Sequence, residues 1–183
     1  KRPPLFEKHP DLRIRIVVPT LLLAAQWGRA VREYESTLGR PGYYHGESKS
    51  ASGHRVTIYV INSARYTLSR HILSDMRSDH PVLLICDECH HYASGENRRI
   101  FDFQDQDAFR PELYLSLGLS ATPEPASEDP VQLRALGNII FDYNYTAALT
   151  DQTSIDKVKV IQKGMAEGDI ILQVNGETVR NVA

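Results

Sequence analysis

Apolar runs of five or six residues recur along the first two thirds of the sequence and alternate with longer segments of helical periodicity. The runs cover residues 14–18, 56–61, 81–86 and 114–119 and predict β-strands. The run at 81–86 is apolar throughout, which is typical of a strand buried on both faces of a parallel sheet. Each run gives way to polar residues, so the pattern also indicates where each strand ends.

Helices are predicted between these strands. Thr20 is expected to cap a helix whose apolar positions recur up to Leu38 and which ends at Gly39. A second helix is predicted over residues 63 to about 76, and residues 99–109 are expected to be helical in pieces. The polar, glycine-rich stretch 41–53 is predicted to be a loop, and a short closing strand is predicted within 137–145.

This alternation of strand and helix predicts an α/β fold in which a parallel sheet is flanked by helices. In such sheets the functional residues gather just beyond the carboxyl ends of the strands. We therefore expect one shared functional edge. The polar residues that follow the strands are Pro19 and Thr20, Asn62 and Ser63, Asp87 and Glu88, and Ser120 with Ala121 and Thr122.

The composition is that of an ordinary globular domain and does not indicate a binding partner. Of the 183 residues, 42% are hydrophobic and 24% are charged, as in an ordinary globular domain. The formal net charge of −2 provides no overall basic field, so any contact with nucleic acid must come from local chemistry. The 2 cysteines make no disulfide framework, and no apolar run is long enough to span a bilayer. We expect a cytoplasmic protein with no membrane partner.

Two adjacent carboxylates, Asp87 and Glu88, directly follow the apolar run at 81–86. Because successive strand residues point to opposite faces, the two side chains are expected to diverge. Asp87 can then hold Mg²⁺ while Glu88 orients or deprotonates an attacking water, which suits nucleotide hydrolysis. His90 lies where it can sense a terminal phosphate. The same residues also fit a strand that simply stops at a polar turn.

Zinc is a further alternative at this place, because Cys86, Cys89, His90 and His91 form a Cys-x-x-Cys-His-His cluster. Two observations disfavour it. Cys86 still belongs to the apolar run, and no second ligand pair occurs elsewhere at the spacing of a zinc finger or ribbon.

The other strand ends carry groups that bind anions or relay contacts. Hydroxyls of Ser120 and Thr122 can bond the acids or His90. The helix that starts at Thr20 offers amides to a phosphate, although simple capping needs no ligand. Asn62, Ser63 and Arg65 repeat the pattern after the second run. Trp27 is expected to be a core residue rather than a platform on which a base stacks.

Taken in order, these segments resemble the first RecA-like domain of superfamily-two DExH-type helicases, in the branch of restriction-enzyme motor subunits, UvrB-like and XPB-like proteins. The resemblance covers about residues 13–150. It rests on four segments in sequence: Val17-Val18-Pro19-Thr20 with Gln26-Trp27, Val60-Ile61-Asn62-Ser63-Ala64, Leu84-Ile85-Cys86-Asp87-Glu88-Cys89-His90-His91, and Leu117-Gly118-Leu119-Ser120-Ala121-Thr122-Pro123-Glu124.

The resemblance implies a P-loop NTPase fold and an ATP-dependent helicase or translocase with ATP and Mg²⁺ as cofactors. It implies that Asp87 faces Mg²⁺, that Glu88 and His90 serve hydrolysis, and that Ser120 and Thr122 couple hydrolysis to movement. The nucleic-acid partner is expected to be DNA in preference to RNA. Its phosphate backbone is expected to be contacted by Pro19, Thr20, Asn62, Ser63 and Arg65.

The sequence departs from the family pattern in ways that change the expectation for the isolated chain. No G-x-x-x-x-G-K-[ST] phosphate loop occurs in the 183 residues, and neither an adenine-reading Gln motif nor a second RecA-like domain is recognised. The chain therefore looks truncated at both ends of the pattern. We expect that it does not turn over ATP alone.

The composition shifts after Thr150, which predicts a motor domain over residues 1–150 and an appendage over 151–183. Residues 158–164 and 168–179 resemble part of an HtrA-type PDZ domain. The fragment is expected not to bind free peptide C-termini, because no carboxylate-gripping loop is recognised. A β-hairpin with Asn175-Gly176 as its turn is an alternative.

Two other functions remain open from the sequence. One is a non-catalytic scaffold that binds nucleic acid or peptide, and the other is a metal-dependent hydrolase that uses Asp87 and Glu88 without ATP.

Overall fold

The protein is described by a computed structural model. It divides into two compact units, Lys1–Asn138 and Ile139–Ala183. The residues that the structure describes are 4–51, 53–92, 95–120, 136–137, 140, 159–160, 171–174 and 177–180.

The first unit is built on a sheet whose strands are mostly parallel. The strands are β1 Arg13–Val18, β2 Gly42–His45, β3 Ser48–Lys49, β4 Val56–Val60, β5 Val82–Asp87 and β6 Tyr114–Leu119. Their order across the sheet is β3-β2-β4-β1-β5-β6, and among these described strands only the β2–β3 pair is antiparallel. This confirms the predicted α/β class, and β6 has the bounds expected from the sequence.

Helices cover both faces of the sheet. They are α1 Pro4–Lys8, α2 Leu21–Glu33, α3 Glu35–Leu38 and α4 Ile61–Arg77, with 3-10 segments at Cys89–Tyr92, Gly95–Asp105 and Pro111–Leu113. Successive residues of β1 alternate between two apolar clusters, as the pleat of a strand requires. Ile16 and Val18 pack in the cluster that includes α2, whereas Val17 packs in the cluster that includes α4.

The first long helix is shorter than the sequence predicts. It ends at Glu33, because the backbone of Tyr34 leaves the helical region at φ −111° and ψ 24°. The separate turn α3 follows and stops at Gly39, which has a left-handed φ of 71° and ends the helical segment as expected. The second helix begins at Ile61, two residues before the predicted start at Ser63, so Asn62 lies in its first turn instead of before it.

The prediction of a loop over residues 41–53 is wrong in part, because this stretch contains β2 and β3. Gly42 pairs with Thr57 in the sheet. A Cβ atom at position 42 would lie 2.2 Å from the Ser50 carbonyl oxygen, which no side chain tolerates. Glycine is thus required here by a close backbone approach within a strand, and not by a loop.

A buried ion pair ties the central strand to α4. The Arg15 side chain is only 4% exposed, and its Nη2 lies 2.7 Å from Asp75 Oδ2. Its Nη1 donates to Thr57 Oγ1 at 2.9 Å and to the His54 carbonyl at 3.2 Å. The guanidinium therefore links β1, β4 and the last turns of α4, and nearly all of its charge is compensated inside the fold.

Among the described residues, no helix combines the length and the apolarity needed to cross a bilayer. In the second unit, β7 Lys159–Val160, β8 Ile171–Val174 and β9 Glu177–Arg180 form an antiparallel sheet in which Val174 pairs with Glu177. Neither the PDZ-like interpretation nor the simple hairpin is decided by this sheet, and both remain predictions. Apart from Gly137 and Ile140, the predicted strand within 137–145 lies outside the described residues.

We expect Asp75→Asn to destabilise the protein by about 3 kcal/mol or more, because it leaves the buried Arg15 charge without its counter-ion. The measurement is urea unfolding followed by circular dichroism. Glu96→Gln is the matched control, since it breaks the solvent-exposed pair between Glu96 and Arg99 and should cause no measurable change. If the two variants unfold at the same urea concentration, the Arg15–Asp75 pair does not stabilise the fold.

Candidate active site

The described polar residues that directly follow β1, β4, β5 and β6 lie at one edge of the sheet. These strands are neighbours and run parallel, so their carboxyl ends meet at the same side. The register pairs Val18 with Val60 across β1 and β4, and Asp87 with Leu119 across β5 and β6. The edge expected from the sequence is therefore present in the structure.

Asp87 is the last residue of β5, and both of its carboxylate oxygens accept a hydrogen bond. The Trp27 indole N–H donates to Oδ2 at 2.8 Å, and the backbone N–H of Glu88 donates to Oδ1 at 3.1 Å. A carboxylate offers about four lone-pair sites, so each oxygen retains one for a further ligand. Oxygen ligands of this kind, often acting through water, are what Mg²⁺ prefers, and Asp87 therefore fits a magnesium site.

Glu88 has a left-handed backbone, with φ at 51°. The expectation that Asp87 and Glu88 diverge through strand alternation is wrong in its reasoning, because β5 ends at Asp87. The left-handed turn sets the direction of the Glu88 side chain instead. This conformation is unfavourable for a residue with a Cβ. Among the described residues Asp79 shares it, with φ at 57°, at the end of α4, so the strain supports a functional role of Glu88 only together with its neighbours.

His90 connects the tip of β5 to the tip of β6. Its Nδ1 shares a 2.8 Å hydrogen bond with Ser120 Oγ and lies 3.6 Å from Glu88 Oε2. Three of the residues selected from the sequence are thus within contact of one another. Thr122, the fourth candidate in this group, lies outside the described residues.

Thr20 caps α2 as the sequence predicts. Its hydroxyl oxygen accepts a hydrogen bond from the Leu23 backbone N–H at 3.3 Å, and its own side chain is exposed. Leu21 and Leu22, which follow it, are also exposed. Capping therefore occupies the Thr20 side chain, and the free amides of the first turn remain the groups that an anion would meet.

The start of α4 carries a polar and basic surface. The sequence predicted Asn62, Ser63 and Arg65 as part of it, but not Tyr66 and Arg99. No side chain of the described residues caps this helix, and Arg65 Nη2 donates to Asn62 Oδ1 at 3.1 Å. The guanidinium of Arg65 also lies 5.2 Å from the ring centroid of Tyr66, whose side chain is exposed. Arg99 approaches the same ring at 5.7 Å. No sequence signal connects Tyr66 with Arg99, because the pairing depends on how α4 packs against the 95–105 segment.

The zinc alternative finds little support in the surroundings of the two cysteines. Cys86 is fully buried in the core, and burial raises the pKa of its thiol well above the usual value. Burial likewise raises the pKa of Cys89. Zinc binds thiolate, which both environments disfavour. Within the residues that the structure describes, no group of three or more potential ligands is arranged to hold a metal.

A surface depression elsewhere on the unit is not part of this site. Arg13, Arg40, His54 and Arg55 line it together with the α3 turn. Arg13 begins β1 and Arg55 precedes β4, so the depression lies at the amino ends of these strands, opposite to Asp87.

The comparison with protein families decides the class of the chain. A family model described as the res subunit of the type III restriction enzymes matches residues 4–125. The match covers more than half of the chain. The chain belongs to this family.

The res-subunit family is part of helicase superfamily two, and its helicase-like motors generally use ATP and Mg²⁺ and act on nucleic acid. The matched segment includes all of the candidate residues selected from the sequence. The resemblance to superfamily-two helicases is thereby confirmed at that level, while the finer branch remains a prediction. A comparison with curated proteins found no match.

The left-handed backbone of Glu88 should affect how substitutions at this position change the stability of the protein. We expect Glu88→Gly to be more stable than Glu88→Ala by about 1 kcal/mol, because glycine adopts positive φ without steric conflict. The opposite order is expected for Arg70→Gly and Arg70→Ala, since Arg70 is exposed in the middle of α4, where glycine is unfavourable by about 1 kcal/mol. Urea unfolding of the four variants checks both orders, and the same order at both positions would refute the left-handed conformation of Glu88.

Proposed function

We propose that this chain supplies the nucleotide-hydrolysing strand end and part of the nucleic-acid surface of an ATP-dependent DNA helicase or translocase. The observation that supports this most is the unequal presentation of two adjacent carboxylates. Asp87 is held by two N–H donors, whereas Glu88 follows in a left-handed turn beside His90. A metal-facing acid and a water-activating acid need this difference in orientation.

In this proposal Asp87 faces the metal and Glu88 faces the attacking water. When bound, Mg²⁺ neutralises charge on the phosphates of ATP. Asp87 contributes oxygen ligands whose orientation is set by Trp27 and by the Glu88 amide. Glu88 orients the water and accepts its proton, with His90 close enough to share the hydrogen-bond network.

Ser120 and His90 are proposed to pass the state of the nucleotide to the rest of the motor. Their hydrogen bond joins the segments that follow β5 and β6. A movement of Glu88, which lies beside His90, can therefore displace Ser120 at the end of β6. Thr122 is proposed to act with Ser120. A second RecA-like domain is the expected mechanical partner, because the resemblance places the coupling between two such domains.

The nucleic-acid contacts are proposed for the first turns of α2 and α4, which lie at the same edge of the sheet. Pro19, Thr20, Asn62, Ser63 and Arg65 are the residues concerned. Free amides in the first turn of a helix bind phosphate, and such contacts position a protein without reading sequence. We propose DNA as the partner. The proposal also retains a cytoplasmic location and the PDZ-like nature of residues 151–183.

We expect Glu88→Gln and Asp87→Asn to fail in different ways. Glu88→Gln should bind Mg²⁺-ATP with nearly unchanged affinity and lose hydrolysis by about a hundredfold to ten-thousandfold, because only the general base is removed. Asp87→Asn should weaken Mg²⁺-dependent nucleotide binding as well. Both are measured by nucleotide affinity and single-turnover hydrolysis, in a fusion that joins this chain to a phosphate-binding loop and a second RecA-like domain.

Ser116→Ala serves as the control for these two variants, since Ser116 lies within β6 and not at its tip. It should leave both measurements unchanged. The assignment is wrong if Glu88→Gln hydrolyses ATP close to the parent rate.

The proposed phosphate contact at α2 is best tested by keeping the cap and changing only the charge. Asp and Asn both cap helices well, so Thr20→Asp and Thr20→Asn should preserve α2. Thr20→Asp should weaken DNA binding by about tenfold through repulsion of the phosphate, and to the same extent for every sequence. Thr20→Asn should stay close to the parent affinity.

The measurement is fluorescence anisotropy with labelled duplexes of several sequences at one fixed salt concentration, because such affinities depend steeply on salt. Equal affinities of the Asp and Asn variants would exclude a phosphate at this position. A loss restricted to some sequences would indicate base contacts instead.

A further inference from the structure

Trp27 is the single tryptophan of the 183-residue chain. It belongs to α2, and its side chain reaches Asp87 at the end of β5. Its ring packs at the edge of the apolar cluster that includes Ala24 and Val31 of the same helix. Its indole N–H, however, leaves this apolar environment and donates to Asp87 Oδ2 at 2.8 Å across 60 residues of sequence.

The hydrogen bond between Trp27 and Asp87 is of a stronger kind than the burial of an indole ring needs. An indole nitrogen only donates, and a partly buried one usually finds any convenient carbonyl or water. Here the acceptor is a carboxylate, and hydrogen bonds to ionised groups are short and about twice as strong as neutral ones. With the Glu88 amide on the other oxygen, the Asp87 carboxylate has both of its oxygens engaged and its rotation is restricted.

We propose that Trp27 is a positioning residue that holds the Asp87 carboxylate for a divalent cation and thereby links α2 to the metal site. The proposal rests on the proposed function, in which Asp87 faces Mg²⁺. Groups that hydrogen-bond to metal-binding carboxylates fix their orientation, and removing them typically weakens metal binding by tenfold to a hundredfold. Since α2 also carries Ala24, Gly28 and Val31 into the interior, a displacement of the helix must displace Trp27 with it.

The alternative is that Trp27 only fills space. Fluorescence tests whether the cation arrives beside Trp27, because all tryptophan emission of the chain comes from this one indole. Since the indole N–H is bonded to Asp87, we expect Mg²⁺ on that carboxylate to change the emission. Removal of the N–H alone, in the second experiment, then separates positioning from the filling of space.

The first experiment titrates the purified 183-residue chain with MgCl₂ at constant ionic strength and records Trp27 emission. We expect a saturable change that disappears in Asp87→Asn. Glu47→Gln is the matched charge control, since Glu47 is an exposed acid between β2 and β3, and it should retain the full change. An unchanged emission in a chain that calorimetry shows to bind Mg²⁺ would overturn the proposal.

The second experiment measures Mg²⁺ affinity by calorimetry in Trp27→Phe, for which we expect about tenfold weaker binding. Because Trp27→Phe also removes ring volume, the parallel arm replaces Trp27 biosynthetically by benzothienylalanine, which keeps the bicyclic shape and has sulfur in place of N–H. The same loss is expected there, with the thermal midpoint of unfolding kept close to that of the parent.

The outcomes separate this inference from the proposed function. Parent-like Mg²⁺ affinity in the benzothienylalanine protein refutes the positioning role and leaves the metal role of Asp87 intact. If the parent chain alone does not bind Mg²⁺, the same variants are compared in the fusion with ATP bound, because Mg²⁺ is usually held by carboxylates together with substrate phosphates. Equal Mg²⁺ affinity of Asp87→Asn and the parent refutes the metal role of Asp87, and the positioning role with it.

Discussion

The candidate site depends on the parallel pairing of β1 with β4 on one side and with β5 on the other. Because the three strands run in the same direction, everything that follows them in sequence is delivered to one edge. Helix α2 leaves β1 there and brings Trp27 beside Asp87, which ends β5. The added pairing of β5 with β6 brings Ser120 to His90 in the same way. A site is thus assembled from four segments that are distant in sequence.

The register of this pairing is fixed at the middle of the sheet by Arg15. The side chain is buried, and a slip of one residue would turn it to the opposite face, away from Asp75 and Thr57. A buried charge without its partner is strongly unfavourable, so alternative registers are disfavoured even if their apolar contacts are similar. The ion pair thereby specifies the alignment on which the edge residues rely, whatever its net contribution to stability.

The sequence predicts the elements that depend on a local pattern of residues. It does not predict the contacts between segments that are distant along the chain. The strand predicted at 81–86 was recognisable because strands buried on both faces of a parallel sheet are continuously apolar. Strand β2 was not, because Gly42 is needed for a close approach to Ser50 that has no local signature. The position of Asp87 at a strand end followed from the sequence, but its bond to Trp27 did not, since the partner is set by the packing of α2.

The two acids illustrate why neighbouring residues can serve different tasks. Strand alternation would separate their side chains without strain, yet β5 ends before Glu88, and a left-handed turn directs the second acid instead. That conformation costs about 1 to 2 kcal/mol, a noticeable fraction of the 5 to 15 kcal/mol by which domains of this kind are typically stable. Two contacts hold Glu88 in this conformation. Its backbone amide donates to the Asp87 carboxylate. The Cys89–Tyr92 segment that follows is anchored by the buried Tyr92 side chain, whose hydroxyl donates to the Val17 carbonyl. The hydrogen bond that orients Asp87 is therefore also one of the restraints that hold Glu88 in its turn, and the two carboxylates are positioned as a pair.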